Sequence, residues 1–126
     1  MSKHMPLFKK QTVWHKLNHI DSDIIQSMLE KIMIKIQMNS KTLCITKYKN
    51  TYYAFDDKCP HQAASLSKGY CNENGEVVCE WHKYAYDLKN GRCKSQGGGF
   101  MNTYLIEKRE DGFYIGFEKI RLGLWD

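Results

Sequence analysis

Closely spaced turn signals divide this chain of 126 residues into short segments. The pairs Asn-Gly and Asp-Gly, which favour tight hairpin turns, occur at residues 74–75, 90–91 and 111–112. Further polar turns are predicted at residues 39–41 and 49–50. Segments bounded in this way suit strands that double back on their neighbours. We therefore predict an all-β fold, either an antiparallel sandwich or a small barrel.

The apolar pattern inside these segments supports the same fold class. Apolar and polar residues alternate over residues 32–38, as expected for a half-buried strand. One helix is predicted over residues 23–30, because Asp21, Ser22 and Asp23 supply N-cap chemistry before apolar residues at helical spacing. The other predicted strands cover residues 11–17, 42–47, 51–55, 76–79, 85–87, 92–94, 101–108 and 113–117.

Composition limits the class of protein. The chain is 42% hydrophobic and 26% charged, which is ordinary for a globular protein, and we expect one domain over residues 1–126. It contains no run of about 18 apolar residues, and residues 1–10 lack the apolar core of a secretory signal. The formal net charge of +5 fits a solvated surface or docking to an acidic partner. No nucleic-acid or membrane partner is expected.

Cysteine is the unusual residue type. An odd number of five cysteines without a secretory signal argues against a disulfide framework and favours a reducing compartment, the cytoplasm. Cys44 is expected to be a small core residue. Cys71 and Cys93 are candidates for spare ligands or a redox pair, or have no special role.

Two short segments combine a cysteine with a histidine. We call residues 58–62, which contain Cys59 and His61, the first Cys–His loop, and residues 79–83, which contain Cys79 and His82, the second Cys–His loop. Each loop follows a predicted strand, so neighbouring hairpin tips would bring two thiolates and two imidazoles together. One metal ion or a small cluster could use all four side chains. Cys59, His61, Cys79 and His82 are therefore the predicted metal ligands.

Zinc is one candidate for this site, because two cysteines and two histidines form a common tetrahedral set. Zinc fingers, however, pair cysteine with cysteine and histidine with histidine. Here each loop mixes the two types, and a single residue, Pro60, separates Cys59 from His61. Mixed loops suit a centre with two irons, in which each loop gives its cysteine to one iron and its histidine to the other.

The spacing C-x-H-x17-C-x2-H resembles that of the Rieske family of iron–sulfur proteins, in particular its low-potential ferredoxin-like branch. The resemblance implies one 2Fe–2S cluster in which histidine replaces cysteine on one iron. It also implies three antiparallel sheets and a small cluster-binding subdomain at about residues 56–96. The matching positions are Cys59, Pro60, His61, Leu66, Ser67, Cys79, Trp81, His82, Tyr84, Tyr86, Asp87 and Gly91.

Some positions depart from the family pattern. Ala64 and Trp81 stand where high-potential members carry a disulfide, and Tyr84 stands where they carry a serine. The resemblance therefore implies a reduction potential toward the low end of the Rieske range of about −150 to +300 mV, although Tyr86 could still donate its hydroxyl to a cysteine sulfur. Lys83 replaces a glycine, so it either adopts an unusual backbone angle or shifts the loop.

A cluster with no open iron position transfers one electron and performs no bond chemistry, so no catalytic residues are expected. The chain also lacks a Rossmann fingerprint. We expect a soluble one-electron carrier, a Rieske-type ferredoxin that accepts electrons from a reductase and passes them to a terminal oxygenase. The first alternative is a small Rieske subunit of an oxidoreductase complex such as nitrite reductase. The second is a zinc-stabilised binding module without a redox role.

Overall fold

The computed structural model describes residues 8–60, 64–81, 83–94 and 99–122. Antiparallel strands dominate these ranges, which confirms the predicted all-β class. The elements are β1 (Phe8–Lys16), α1 (His19–Gln26), β2 (Met33–Met38), β3 (Lys41–Tyr48), β4 (Thr51–Asp56), a 3-10 turn (Leu66–Lys68), β5 (Tyr70–Cys71), β6 (Glu76–Val78), β7 (Ala85–Asp87), β8 (Thr103–Arg109) and β9 (Gly112–Leu122).

Six strands form one sheet in the order β1-β9-β8-β4-β3-β2, and β5-β6-β7 form a second, smaller sheet. β8 joins two halves of the larger sheet: it pairs with β9 along most of its length, but with β4 only at Thr103 and Tyr104. With the two halves counted separately, as β1-β9-β8 and β4-β3-β2, the three predicted sheets are confirmed, and the first two are joined through β8.

The buried side chains form two separate cores. The first core packs on the larger sheet and α1, and consists of Leu17, Ile25, Met28, Ile36, Leu43, Ile45, Ala54, Phe113, Ile115 and Phe117. The second core combines residues of β3 and β4 with the smaller sheet, and consists of Cys44, Phe55, Cys59, Leu66, Cys71, Val77, Cys79, Tyr86, Leu88 and Met101. Cys93 packs at the edge of the second core, so this core gathers every cysteine of the chain.

The helix lies closer to the N-terminus than predicted. α1 covers His19–Gln26 and not residues 23–30, because Asn18 acts as the N-cap and its Oδ1 accepts the N–H of Asp21 at 2.7 Å. Ser22, one of the predicted capping residues, is buried instead. Its Oγ accepts the N–H of Phe113 at 3.1 Å, which ties α1 to β9.

Two of the predicted hairpin turns have left-handed backbone at both central residues. Asn39 and Ser40 have φ of 52° and 63°, and Lys49 and Asn50 have φ of 50° and 64°. This is the geometry of two-residue type I′ turns, whose twist matches that of the flanking strands. The carboxylate of Glu30 stabilises the β3–β4 turn, because it accepts the N–H groups of Lys49 at 2.6 Å and Asn50 at 2.9 Å.

The predicted strand at residues 92–94 is wrong. This segment forms isolated bridges, from Cys93 to Tyr86 and from Arg92 to Phe100, and two backbone hydrogen bonds with β7. It therefore pairs locally with β7 but does not form a regular strand. Gly91, just before it, has φ of 75° and lies close to Met101, where a Cβ atom would be 1.9 Å from the carbonyl oxygen.

Candidate metal centre

The first Cys–His loop is anchored at its base by hydrogen bonds. The N–H of Cys59 donates to the carbonyl oxygen of Ala64 at 2.8 Å, which closes the loop. Asp57 fixes the entry to the loop. Its N–H donates to the carbonyl of Thr42 at 3.1 Å, and its buried carboxylate accepts the N–H of Ser67 at 2.9 Å.

The second Cys–His loop is built in the same way. β6 leads into it and β7 leads out, and the N–H of Cys79 donates to the carbonyl oxygen of Tyr84 at 2.9 Å. In both loops the bond therefore joins a cysteine to the residue five positions later. Each cysteine lies at the base of its loop, where the backbone is well fixed, as a ligand position requires.

The structure brings the two cysteines together. Cys59 and Cys79 are both buried in the second core, where they are neighbours. Burial raises the pKa of the Cys79 thiol, and the neighbouring Cys59 raises it further. Without a bound cation the Cys79 thiol therefore holds its proton, whereas coordination to a metal would remove it.

Tyr86 adds a hydroxyl to this pair. Its oxygen lies 3.5 Å from the Sγ atom of Cys59, and its side chain is fully buried. Burial, with Cys59 as a further cause, raises the pKa of Tyr86 well above its usual value. The hydroxyl therefore keeps its proton and can donate it to a thiolate in a hydrogen bond, as the sequence suggested.

His61 and His82 lie outside the described residues, so their role as ligands stays a prediction. Their described neighbours Pro60, Trp81 and Lys83 are all exposed. These three residues, which we call the loop tips, therefore lie at the protein surface, while the cysteines at the bases of the loops are buried. A metal centre held between these loops would have one protected side and one side close to solvent.

Lys83 adopts an unusual backbone angle, which is the first of the two possibilities that we considered for a lysine at this position. Its φ of 59° lies in the left-handed region, the conformation that glycine adopts without strain. For a residue with a Cβ atom this conformation costs roughly 1–2 kcal/mol. The lysine thus preserves the backbone path that a glycine would take and places an exposed ammonium group in the second Cys–His loop.

The donor set fits an iron–sulfur cluster. Thiolates are the ligands that hold such clusters, and two adjacent buried thiols could serve a single iron. A family model described as "Rieske [2Fe-2S] domain" matches residues 21–98, more than half of the chain. This chain belongs to the Rieske family. Its cofactor is accordingly a Rieske-type 2Fe–2S cluster.

This Rieske chain is similar to a ferredoxin component and to nitrite reductases. It is 22% identical over 104 residues to the ferredoxin component of an alkene monooxygenase system from Xanthobacter autotrophicus, covering 82% of this chain and 85% of that protein. It is 35% identical over 86 residues to a nitrite reductase from Emericella nidulans, covering 62% of this chain and 8% of that protein. A putative nitrite reductase small subunit from Mycobacterium tuberculosis has a similar fold, with a TM-score of 0.69, 15% identity and coverage of 85% and 96%.

This Rieske protein is an electron-transfer protein, in line with its ferredoxin relative. No helix in the described part of the chain is long and apolar enough to cross a membrane.

Sequence reasoning missed a polar group in the second core. Glu76 is buried, and its carboxylate accepts the side-chain N–H of Asn72 at 2.8 Å and pairs with Lys94 at 2.9 Å. Lys94 precedes the segment that leads to Phe100, so this ion pair fixes one end of that connection to β6. The only signal in the sequence was a carboxylate in a predicted strand, which is a weak indication of a buried pair.

Proposed function

We propose that Cys59, His61, Cys79 and His82 are the ligands of the cluster, within a cluster-binding subdomain at about residues 56–96 of a single Rieske domain. The two thiolates hold one iron and the two imidazoles hold the other. The observation that carries this proposal is the burial of Cys59 and Cys79 side by side in the second core. The spacing of the two loops and the family match support it.

The function that follows is one-electron transfer from a reductase to a terminal oxygenase. The chain covers most of a ferredoxin component of a monooxygenase system, which supports a free carrier of this kind. The exposed loop tips give the cluster a short route to a docked partner, since they lie between the buried thiols and solvent. We place the protein in the cytoplasm, where a reducing environment keeps cysteine thiols from forming disulfides.

The cluster is tested by assaying iron and acid-labile sulfide in the purified protein and recording the EPR spectrum after reduction with dithionite. We expect two irons and two sulfides per chain, and a spectrum whose average g value lies below that of the free electron. A colourless protein that contains zinc would overturn the proposal.

The imidazole ligands are tested with two substitutions at one position. His82→Cys should retain a cluster with a lower reduction potential, because a thiolate carries a negative charge that imidazole lacks, whereas His82→Ala should lose the cluster. His19→Ala, at an exposed position in α1, is the matched control and should leave the EPR spectrum unchanged. An unchanged spectrum in both His82 variants would exclude His82 as a ligand.

A second candidate function is that of a small subunit in a nitrite reductase complex. It is supported by the identity to the fungal nitrite reductase and by the fold shared with a putative small subunit. Size-exclusion chromatography of a native extract separates the two functions. A carrier elutes alone as a small protein, whereas a subunit elutes with its larger partner.

A further inference from the structure

A groove lined by three lysines lies beside the first Cys–His loop. It has a volume of about 430 Å³ and is lined by Lys35, Lys41, Thr42, Asp56, Asp57, Lys58, Ala64 and Ser65. Lys35 and Lys41 come from the β2–β3 hairpin, and Lys58 belongs to the loop itself. The lysine groove, as we call it, therefore extends from a rigid hairpin to the residue that precedes Cys59.

The three lysines are free to meet a partner. All three are exposed, and none forms an ion pair with another residue in the described ranges. Other basic side chains of the structure differ in this respect. Lys10, Lys16, Lys31, Lys94 and Arg109 each pair with a carboxylate of the same chain.

The two carboxylates in the groove are engaged within the protein. Asp56 accepts hydrogen bonds from the side chains of Asn102 at 2.9 Å and Tyr104 at 2.6 Å. Asp57 is only 5% exposed and accepts the N–H of Ser67. The three exposed ammonium groups outnumber the two carboxylates, one of which is buried, so the lining as a whole is positive.

We propose that the lysine groove is the docking surface for a carboxylate-rich face of a protein redox partner. The inference rests on the proposed electron-carrier function and adds the charge of the partner to it. Charge complementarity supports this occupant, because the groove is positive and the chain as a whole carries a net charge of +5. A partner held in the groove would place its own redox centre beside the first Cys–His loop.

The test uses the cluster-loaded protein and two haem proteins of opposite charge. The protein is reduced with dithionite, freed of excess reductant by anaerobic gel filtration, and mixed by stopped flow with oxidised cytochrome b5, which is acidic, or with oxidised cytochrome c, which is basic. In each reaction the cluster loses one electron and the ferric haem gains it. We expect the rate with cytochrome b5 to fall as ionic strength rises, because salt screens attraction between exposed charges.

Two variants with equal loss of charge locate the effect. The groove variant is Lys35→Gln/Lys41→Gln/Lys58→Gln. The control variant is Lys89→Gln/Lys108→Gln/Lys119→Gln, whose lysines are also exposed and unpaired among the described residues but lie outside the groove. At low ionic strength we expect the groove variant to reduce cytochrome b5 roughly 10-fold more slowly than the parent protein, and the control variant to lose no more than about twofold.

Equal slowing in both variants, or no slowing in either, would overturn the inference, because the effect would then belong to net charge or be absent. Binding of a DNA duplex by the parent protein would also overturn it, if the groove variant still reduced cytochrome b5 at the parent rate.

Iron content and the EPR spectrum are checked first. A parent protein without a cluster refutes the proposed function. A cluster-loaded protein whose two variants reduce cytochrome b5 at equal rates refutes only the docking surface. If the triple variant loses its cluster, Lys35→Gln/Lys41→Gln replaces it, since both residues lie outside the loop.

Discussion

The oxygen of Tyr86 and the sulfur of Cys59, which lie 3.5 Å apart, link the second core to the redox chemistry of the centre. A hydroxyl that donates to a ligand sulfur stabilises the additional negative charge of the reduced state. Because the tyrosine is fully buried, water cannot take over this hydrogen bond when the hydroxyl is removed.

Tyr86→Phe should therefore lower the reduction potential of the cluster. For a hydrogen bond to a charged group we expect a decrease of roughly 50–100 mV, measured by protein-film voltammetry. Tyr104→Phe is the control, because Tyr104 also loses a hydrogen bond, but to Asp56 and not to a cysteine. An unchanged or higher potential in Tyr86→Phe would show that the hydroxyl does not donate to the cluster's ligand.

The left-handed conformation of Lys83 predicts that glycine would stabilise the second Cys–His loop. Lys83→Gly removes the strain of the Cβ atom, and Lys83→Ala removes the charge but keeps that strain. The glycine variant should unfold about 2–4 °C above the alanine variant, as followed by circular dichroism. Equal melting temperatures would mean that the loop adopts a different backbone in solution.

At the residue scale the spacing of two short segments predicts four ligands. The structure brings the two cysteines together in one core, whereas the role of the two histidines stays a prediction. The sequence also predicted that Tyr86 could donate to a cysteine sulfur. The backbone angle of Lys83 could not be predicted from the lysine itself, whose preferred conformations are right-handed or extended. It depends on the closure of the loop by the bond from Cys79 to Tyr84, which is a contact within the fold.

The carboxylate of Glu76 in β6 binds two residues near the proposed centre, Asn72 after β5 and Lys94 after β7. Its hydrogen bond with Asn72 and its ion pair with Lys94 lower the pKa of the Glu76 carboxyl below its ordinary value. Folding thus favours the ionised form. This contribution to stability is fully present above the pKa of the unfolded chain, about 4.3, and is lost as pH falls through the lower pKa of the folded state.

Glu76→Gln should lower the melting temperature at pH 7. The difference in melting temperature between the variant and the parent protein should become smaller below about pH 4. The measurement is the melting temperature of both proteins at several pH values. Glu110→Gln is the control, because Glu110 is exposed and forms no ion pair within the described residues. A difference that stayed constant with pH would show that the glutamate acts through its shape and not its charge.

The hairpins were predicted well and the helix less well, for related reasons. A two-residue turn depends on two residues, so its signal is complete in the sequence. The start of the helix is harder to predict, because several nearby residues are suitable N-caps. Asn18 caps the helix, while Ser22 bonds Phe113 of β9, which is distant in sequence. The strand at residues 92–94 was wrong because its neighbouring residues bridge to two different segments, Cys93 to Tyr86 and Arg92 to Phe100, and not to one partner strand.

The whole molecule has two cores that differ in their dependence on iron. The first core contains no cysteine, whereas the second contains both proposed thiolate ligands. With Cys59 and Cys79 as the proposed ligands, removal of the cluster would leave both thiols without their bonds to iron and would loosen the two loops whose bases they form. The larger sheet keeps its own apolar contacts and need not unfold with them.

Hydrogen exchange measured by mass spectrometry should separate the two cores. In the iron-free protein, amide protection should fall across residues 57–94 and remain in β1, β2 and β9. The cluster-loaded protein, measured in parallel, is the reference. Loss of protection throughout the chain would instead mean that the molecule folds as one cooperative unit.

The position of Cys59 beside Cys79 also bears on how such a protein is made. Two neighbouring thiols lose two electrons and two protons to form a disulfide when an oxidant such as molecular oxygen is present. In the proposed cluster-loaded protein both sulfurs are bonded to iron instead, so the cofactor would act as a protecting group for this pair of atoms.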